Sequence, residues 1–261
     1  MIWIAAGTEE GRRIAKALVE KNREVMVSVT TEYGGSLLQK ELQNIGTNRR
    51  VIIDRTLDYE EMQKILQEFP IKKIVDATHP YADVVSKNLT ALALENSITY
   101  LRYERPSIKD FLQDEGIEQA SKILWVKDTQ AAIEVLQKRE GRVLLTTGSK
   151  TLGDYLKTLE VSRIYARVLP VPKVMEKCKA LGLPPGQILG MQGPFSIEFN
   201  KSTLIEYNIE SVITKDSGLT GGVQEKILGA LEAKVGIIII ERPNVAYPQV
   251  FSDIEVLMDQ L

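Results

Sequence analysis

The chain has 261 residues, of which 44% are hydrophobic and 26% charged, and it carries a formal net charge of -2 at pH 7. This composition is typical of a globular protein with one large or two small domains. The lack of a basic excess argues against nucleic acid or a membrane surface as a partner. A single cysteine, Cys178, excludes an internal disulfide and a cysteine-rich metal site, so we expect no metal site.

The N-terminal stretch MIWIAAGTEEGRR has no basic region before its apolar run and no cleavage motif. We therefore expect it to form a first strand rather than a signal peptide. No apolar run approaches the length needed to cross a bilayer. The expected setting is a reducing cytoplasm, with the protein as a monomer or weak homo-oligomer.

Short Val- and Ile-rich runs alternate with amphipathic stretches through the first part of the chain. The pattern predicts strands at 2–7, 24–30, 49–54, 72–78 and 98–104, with helices at 11–22, 35–45, 59–69 and 81–96. Strands that alternate with helices of this length predict βαβ units and a parallel sheet. The near-continuous hydrophobicity of the strands predicts that helices cover both faces of the sheet.

The polar stretch 105–119 interrupts this alternation, and we interpret it as the crossing between two domains. A second series then follows, with strands predicted at 123–128, 142–148, 163–170, 187–191, 211–218 and 236–243. Its predicted helices are 129–139, 150–158, 173–183, 195–206 and 222–234. The fold class is therefore α/β, with two doubly wound Rossmann-like parallel-sheet domains and a ligand cleft between them. We assign residues 1–106 to an N-terminal cofactor-binding domain and 107–261 to a domain that completes the cleft.

The stretch AAGTEEGRR, residues 5–13, lies where the first strand gives way to the first helix. A helix N-terminus offers free N–H groups and a positive dipole end, and glycine lets a phosphate approach the backbone. Gly7, Thr8 and Gly11 are therefore candidates for cofactor binding. The spacing is shorter than the full dinucleotide motif, so a plain strand-to-helix turn stays open. Carboxylates at Glu9 and Glu10 suit phosphate binding only if they point outward.

The second predicted strand ends in the stretch VSVTTEYGG, residues 27–35. In a dinucleotide-binding fold this position contacts the adenosine ribose. Thr30 and Thr31 are neutral, and Arg12 lies at the neighbouring helix start, which favours a 2′-phosphate and hence NADP over NAD. A loop with turn-forming glycines is the alternative.

The stretch DATHPYA, residues 76–82, contains the chain's one histidine, His79. It follows the fourth predicted strand, and strand ends of an open parallel sheet face the ligand. Thr78, His79 and Tyr81 are therefore candidates for ligand contact, and the imidazole could donate a proton. The alternative is a helix start with Thr78 or His79 near the cap and Pro80 in the first turn.

Three loops of the second half also follow predicted strands: TTGSK at 146–150, MQGPF at 191–195 and KDSGLTGG at 215–222. Lys215 offers a point charge and Ser217 a donor, beside Asp216 and Gly218. Solvated glycine-rich loops without a ligand are the alternative reading.

Three arginines lie at strand ends next to prolines: Arg102, Arg105 and Arg167. Guanidinium groups bind carboxylates bidentately, so these residues are candidates for a carboxylate-bearing ligand. Arginines at exposed strand ends are more often simply solvated.

Taken together, the motifs resemble the precorrin-6A reductase family, including its cobalt-precorrin-6A branch. The matching pieces are GTEEGR (7–12), DATHPYA (76–82), YLRYERP (100–106), TTGSK (146–150), QGPFS (192–196), TKDSG (214–218) and ERP (241–243), in the expected order over nearly the whole chain. The resemblance implies NADPH-dependent reduction of a double bond in an anionic tetrapyrrole, a step of cobalamin biosynthesis. Hydride transfer demands mainly positioning, because the nicotinamide carries the chemistry.

The resemblance also implies roles for individual residues. The cofactor would contact Gly7, Thr8, Gly11, Arg12, Thr30, Thr31, Thr78, His79, Ser217 and Gly218. The catalytic candidates are His79, Tyr81, Lys215 and Asp216, with His79 orienting the ligand or donating a proton. The substrate carboxylates would meet Arg102, Arg105, Arg167, Ser149 and Lys150. The stretch TTEYGG departs from the family pattern, which bears on the 2′-phosphate contact.

Two other classes of function remain open from sequence. One is a reductase that uses NAD(P)H on another small conjugated substrate. The other is a non-catalytic protein that binds a tetrapyrrole or a nucleotide. Thermal stabilisation by NADP separates a nucleotide-binding protein from a carrier that uses no nucleotide.

Overall fold

The structure is a computed structural model that describes residues 1–43, 45, 50–117, 122–219 and 221–261. The first part of the chain contains β1 (Ile2–Ala5), α1 (Glu9–Glu20), β2 (Val25–Ser28), α2 (Glu32–Leu42), β3 (Arg50–Ile53), α3 (Tyr59–Glu68), β4 (Lys73–Asp76), α4 (Asp83–Glu95) and β5 (Thr99–Tyr103). Strands and helices alternate strictly here, as the hydrophobic periodicity predicts.

The rest of the chain begins with α5 (Ile108–Asp114), β6 (Ile123–Val126), α6 (Thr129–Gln137), β7 (Arg142–Leu145), α7 (Leu152–Leu156), β8 (Ile164–Val168) and α8 (Pro172–Ala180). It continues with β9 (Ile188–Gly190), α9 (Ile197–Glu206), β10 (Ile209–Lys215), α10 (Val223–Glu232), β11 (Gly236–Ile240), β12 (Val250–Phe251) and α11 (Ile254–Met258). Short 3₁₀ turns at Val161–Arg163 and Pro185–Gln187 precede β8 and β9.

Two six-stranded parallel sheets form, which confirms the predicted α/β class. The first has the order β12-β5-β4-β1-β2-β3, and the second β6-β11-β10-β7-β8-β9. In the first sheet β1 lies between β2 and β4, with Ala5 paired to Asp76 and to Ser28. This is the dinucleotide-binding order, in which ligands bind beyond the carboxyl ends of the strands where the strand order reverses.

Two compact units divide the chain. The first comprises Met1–Arg105 together with Asn244–Leu261, and the second Pro106–Pro243. The sequence pattern placed 244–261 with the second half, whereas this segment packs in the first unit and supplies β12, which pairs with β5 through Val250 and Arg102. A strand of two residues carries no periodic signal, which is why the pattern missed it.

Each sheet is buried between helices. Strand β1 is buried at all four positions, and α1 packs Ile14, Ala15, Leu18 and Val19 against its sheet. In the second unit the Ile-rich β11 lies in a core with residues of α9 and α10. Among the described residues, no helix is long and apolar enough to cross a membrane.

The predicted linker 105–119 is not uniformly irregular. Its residues Ile108–Asp114 form α5, and both Ile108 and Leu112 are fully buried in the core of the second unit. The apolar residues four apart lie on one face of a helix that is too short to give a strong periodic pattern. The end of the predicted linker, residues 118–119, lies outside the described residues, as do residues 120–121.

Candidate functional site

The turn from β1 into α1 packs closely against the turn that follows β4. A Cβ on Gly7 would lie 3.1 Å from the Cα of Thr78 and 3.2 Å from the backbone nitrogen of His79. A Cβ on Gly11 would lie 2.8 Å from the Cα of Ala6. A side chain at Gly11 would therefore force the backbone to shift, and one at Gly7 would press on the turn after β4, so the two motifs predicted to bind cofactor lie side by side.

Thr8 caps α1. Its Oγ1 accepts a hydrogen bond from the backbone N–H of Gly11 at 3.2 Å and donates one to the carbonyl of Ala77 at 3.0 Å. One hydroxyl thus fixes the helix start to the β4 turn. Within the described part of the chain, the backbone N–H groups of Gly7 and Glu9 donate no hydrogen bond. These donors, at the positive end of a 12-residue helix, can receive an anion.

The two glutamates of this turn differ. Glu9 is exposed, as phosphate binding requires, whereas Glu10 is buried and points inward. Its Oε2 accepts a hydrogen bond from Nη2 of Arg105 at 2.6 Å. This ion pair balances the carboxylate, so Glu10 does not present a bare negative charge near the helix start. Arg105 was predicted to bind substrate, and in the structure it is paired with Glu10.

Asp76, the last residue of β4, is the centre of a buried hydrogen-bond network. Its Oδ1 accepts bonds from the Thr78 backbone N–H at 3.0 Å, Thr78 Oγ1 at 2.7 Å and Arg102 Nη1 at 2.8 Å. Its Oδ2 accepts a bond from the Tyr100 hydroxyl at 2.7 Å. Burial, and then the Asp76 charge, raise the pKa of Tyr100, so it stays a donor. The network fixes the backbone beside Gly7.

Arg102 does not serve the role predicted for it. Its side chain is fully buried, pairs with Asp76 and lies with its guanidinium carbon 5.0 Å from the centroid of the Tyr247 ring. A guanidinium enclosed in this way cannot present its fork to a carboxylate of a ligand. The sequence pattern could not show this, because Tyr247 belongs to the C-terminal segment that joins the first unit. Arg102 instead holds Asp76 and Thr78 in place.

His79 and Tyr81 lie in the loop between β4 and α4, and both are partly exposed. The backbone N–H of Tyr81 donates to Nδ1 of His79 at 3.3 Å, and the ring centroids are 5.7 Å apart. This bond places the proton of a neutral imidazole on Nε2. Helix α4 begins at Asp83 with Ala82 as its cap, so the alternative of a helix start at residues 78–80 is wrong.

The end of β2 leaves Thr30 and Thr31 exposed. Thr31 caps α2, because its Oγ1 accepts a hydrogen bond from the backbone N–H of Gly34 at 3.1 Å. Arg12, at the start of α1, pairs with Glu41 through Nε at 3.1 Å and keeps 21% of its side chain exposed. Arg12 follows β1, and Thr30 and Thr31 follow β2. Because β1 and β2 are paired in the sheet, the three residues lie beyond neighbouring strands.

In the second unit, the predicted residues 215–218 begin at Lys215, the last residue of β10, and continue into the loop after it. Asp216 is buried and accepts hydrogen bonds from Ser107 Oγ at 2.7 Å and from the Ile108 backbone at 3.0 Å, and it pairs with Arg242 at 3.2 Å. These bonds hold the start of α5, so we assign Asp216 a positioning role rather than the predicted catalytic one. Gly218, also buried, donates its backbone N–H to Asp216 at 3.3 Å. No local pattern indicates that Arg242, 26 residues away, is its partner.

Lys215 and Ser217 flank this aspartate and are partly exposed. Burial, and then the neighbouring charge of Lys150, lower the pKa of Lys215. Ser149 is partly exposed and Lys150 exposed, and both follow β7, the strand beside β10. Lys215 and Lys150 thus both lie at the carboxyl ends of paired strands in the second sheet.

Arg167 lies in β8 and is 8% exposed. Its Nη1 donates to Oδ1 of Asn200 at 2.9 Å, and its guanidinium carbon lies 4.7 Å from the centroid of the Phe195 ring. The described residues include no group of three or more His, Cys, Asp or Glu that could hold a metal ion.

No network role was predicted for the buried residues Asp76, Tyr100, Asn200 and Lys226 or for the partly exposed Arg242. Each lies in a run that reads as ordinary strand, loop or helix. An Asp at the end of a hydrophobic strand was the one available signal, for Asp76. The roles of the other four residues depend on contacts between elements that are distant in the sequence.

The fold and the first sheet edge define the class of protein: a two-unit α/β protein whose first unit has the dinucleotide-binding strand order. The family model for precorrin-6x reductase CbiJ/CobK matches residues 1–261. The chain belongs to this family, as its motifs predicted. It is an oxidoreductase of the CH–CH class in cobalamin biosynthesis, and a reductase family of this kind points to a nicotinamide cofactor.

Known relatives agree over the whole length. A cobalt-precorrin-6A reductase of Priestia megaterium is 36% identical over 264 residues, which cover 100% of this chain and 98% of the relative. One of Methanocaldococcus jannaschii is 36% identical over 258 residues, 98% and 96% of the two chains. A precorrin-6A reductase of Rhodobacter capsulatus is 25% identical, covering 100% and 95%.

A solved structure titled CobK precorrin-6A reductase superimposes with a TM-score of 0.76 at 21% identity, covering 99% of this chain and 94% of the other. This likeness supports the fold.

Proposed function

We propose that this protein uses NADPH to reduce one double bond of cobalt-precorrin-6A, giving the 6B form. The proposal rests on the turns that follow β1 and β4. There Gly7 packs against Thr78 and His79, and within the described part of the chain the backbone N–H groups of Gly7 and Glu9 donate no hydrogen bond. The family membership supplies the reaction class. Relatives named as cobalt-precorrin-6A reductases are 36% identical, whereas one named precorrin-6A reductase is 25% identical, which favours the cobalt-bearing substrate.

The residues at the start of α1 fit the phosphates of a dinucleotide. The backbone donors of Gly7 and Glu9 and the helix dipole attract negative charge, and the missing side chain at Gly7 leaves the backbone accessible. When bound, the nicotinamide supplies the hydride. Thr8 and Gly11 stabilise this turn through the helix cap. Thr78 links the Asp76 hydrogen-bond network to the loop that follows β4, against which the turn packs.

A 2′-phosphate would lie near the end of β2. Thr30 and Thr31 are exposed hydroxyls without a carboxylate at the strand end, which favours NADPH over NADH. Arg12 is a candidate cation for this phosphate because it lies at the start of α1, which follows β1, the strand paired with β2. Its ion pair with Glu41 is partly exposed and therefore weak enough for a phosphate to replace the carboxylate.

His79 and Tyr81 are proposed to face the reacting part of the ligand. With Nδ1 accepting from the Tyr81 backbone, the imidazole carries a proton on Nε2 and can orient or protonate the macrocycle. In the second unit, Lys215 and Lys150 supply positive charge for the carboxylates of an anionic tetrapyrrole, and the hydroxyls of Ser149 and Ser217 add polar contacts.

The cofactor part of this proposal is tested by isothermal titration with NADPH and NADH. Arg12→Met should weaken NADPH binding roughly tenfold, the loss of one charge-assisted contact, and leave NADH binding unchanged. Arg55→Met is the matched control, because Arg55 also pairs with a glutamate, Glu61, on the surface of the first unit. Equal losses for both nucleotides, or equal effects of both substitutions, would remove Arg12 from the 2′-phosphate site.

A further inference from the structure

A tyrosine from the C-terminal segment packs on the buried network around Asp76. Tyr247 lies in the segment Asn244–Leu261, which belongs to the first unit. Its ring stacks on that of Tyr100, with the centroids 6.4 Å apart and the ring planes 12° from parallel. The guanidinium carbon of Arg102 lies 5.0 Å from the centroid of the same Tyr247 ring. Tyr247 thus contacts two of the three side chains that donate hydrogen bonds to Asp76.

The hydrogen bonds of Arg102 leave part of its buried guanidinium without an acceptor. Its Nη1 donates to Asp76 Oδ1 at 2.8 Å and to Thr78 Oγ1 at 3.0 Å, and its Nε pairs with Glu104 at 3.5 Å. Within the described part of the chain, Nη2 has no hydrogen-bond partner. The face of an aromatic ring stabilises a desolvated cation. We therefore expect the Tyr247 ring to help hold the Arg102 side chain in the position from which it binds Thr78.

A second contact links Tyr247 to Thr78 through helix α4. Ser86 of this helix is 1% exposed, and its Oγ lies 3.3 Å from Thr78 Oγ1. Burial raises the pKa of Tyr247, whereas the charge of Arg102 and then the hydroxyl of Ser86 act in the opposite direction, which places the Ser86 hydroxyl beside the phenol. Thr78 is therefore held from two sides, and Tyr247 lies against both of the side chains that hold it.

Thr78 directly precedes His79, so its position affects where the imidazole lies. The backbone N–H of Thr78 donates to Asp76 Oδ1 at 3.0 Å, which fixes the turn just before His79. On its other side the turn packs against the first turn of the sheet, because a Cβ on Gly7 would lie 3.1 Å from the Cα of Thr78. In an active site, a misplacement of about 1 Å can cost on the order of a hundredfold in rate.

We propose that Tyr247 is a positioning residue, which acts through Arg102 and Ser86 to hold Thr78 and the backbone of His79 in place. The inference rests on the proposed function for the role of His79 in the reaction, but not for the geometry of the network. No sequence motif marked Tyr247, because its partners lie in distant parts of the chain. The competing explanation is that Tyr247 contributes only to the packing of the first unit.

The first measurement is proton NMR of the free protein, in which the chain's one histidine gives a single imidazole signal. Tyr247→Leu should shift or broaden the His79 signal, and Tyr247→Phe, which keeps the ring, should leave it near its wild-type position. The matched control is Tyr207→Leu. Tyr207 is also partly buried, and its ring lies 5.3 Å from that of Tyr165 in the second unit.

Ser86→Ala tests the same network with a smaller change, in case Tyr247→Leu does not fold. It removes the hydroxyl beside Thr78 and should also shift the His79 signal. A wild-type His79 signal in Ser86→Ala or in folded Tyr247→Leu would overturn the proposal. A shift of equal size in the Tyr207→Leu control would overturn it as well, because the signal would then report general loosening of the protein.

The second measurement is steady-state kinetics with cobalt-precorrin-6A and NADPH. Tyr247→Leu should lower kcat roughly tenfold or more with the KM for NADPH unchanged, whereas Tyr247→Phe should keep most of the wild-type kcat. A lower melting temperature of Tyr247→Leu with a wild-type kcat would show a packing role alone and overturn the proposal. If wild type turns over no precorrin, the proposed function fails, while the NMR comparison still decides whether Tyr247 positions His79.

Discussion

Arg102 and Arg167 occupy similar places, each next to the last residue of its strand and each almost fully buried. Arg102 is paired with Asp76 at 2.8 Å, whereas Arg167 contacts the neutral Asn200. A buried guanidinium with a carboxylate partner is a structural element, because removing either group leaves the other charge uncompensated. A buried guanidinium without such a partner is suited to a ligand. The presence or absence of a carboxylate partner therefore distinguishes an arginine that stabilises the fold from one that can bind a ligand.

The first prediction concerns the paired arginine. Arg102→Met should lower the free energy of unfolding by about 3–5 kcal/mol, because Asp76 would stay buried without its counter-charge. Urea denaturation checks this, with Arg55→Met as the control, since the Arg55–Glu61 pair lies on the surface, where solvent and salt screen it, and its loss should change the stability little. A loss for Arg102→Met no larger than for the control would show that the Asp76 network does not support the fold.

The second prediction concerns the pH dependence of Lys226. Its folded-state pKa of about 7 lies below the ordinary lysine value of 10.5, so the unfolded chain binds the extra proton between these values. The stability penalty of this lysine is therefore full below about pH 7 and is relieved as the pH rises towards 10.5. The charged and polar groups facing Lys226 are Arg167 from β8, Glu225 on its own helix and Thr214 from β10.

Lys226→Met should consequently be more stable than wild type at pH 6, with a melting temperature higher by several degrees, and the advantage should shrink between pH 7 and about 10. Thermal melts across this range, without phosphate, measure the difference. The exposed Lys157→Met serves as the control and should give a flat difference. An advantage that grows with pH would contradict the assigned direction of the shift.

At the scale of elements, the start of α1 combines a cap, an excluded side chain and unused donors in one turn. The motif GTEEGR predicted this turn and the residues Gly7, Thr8 and Gly11, because the need for glycine and a capping hydroxyl is local. The burial of Glu10 was not predictable, since it depends on Arg105 from the end of a strand 95 residues away. The same limit applies to Asp216, whose partners Ser107 and Arg242 are distant in sequence.

The third prediction tests this turn. Gly11→Ala would bring a Cβ to 2.8 Å from the Cα of Ala6, a backbone atom that cannot move aside cheaply. We expect a loss of about 1–3 kcal/mol in stability and weaker NADPH binding, because the helix start must shift. Gly186→Ala is the control, since nothing lies within 4 Å of a Cβ there. Unchanged stability and unchanged NADPH affinity in Gly11→Ala would show that the close approach has no role.

At the scale of the whole molecule, both sheets follow one plan. In each, a central strand, β1 or β7, is flanked on one side by the next two strands of its unit and on the other by two later ones. The sixth strand comes from an unexpected part of the chain, β12 from the C-terminal segment in the first sheet and β6 from before β7 in the second. Hydrophobic periodicity predicted the alternation of strands and helices, including β6 within 123–128, but neither the two-residue β12 nor the edge position of either strand, because edge pairing depends on long-range contacts rather than on local pattern.

We propose that this chain transfers a hydride from NADPH to cobalt-precorrin-6A. The direct measurement is to mix the purified protein anaerobically with cobalt-precorrin-6A and NADPH and to follow NADPH absorbance and product mass, with NADH and metal-free precorrin-6A as comparisons. We expect stoichiometric loss of NADPH, a product heavier by two hydrogens, and faster turnover with NADPH and the cobalt-bearing substrate than with NADH or metal-free precorrin-6A. Absence of NADPH oxidation with both precorrins would contradict it.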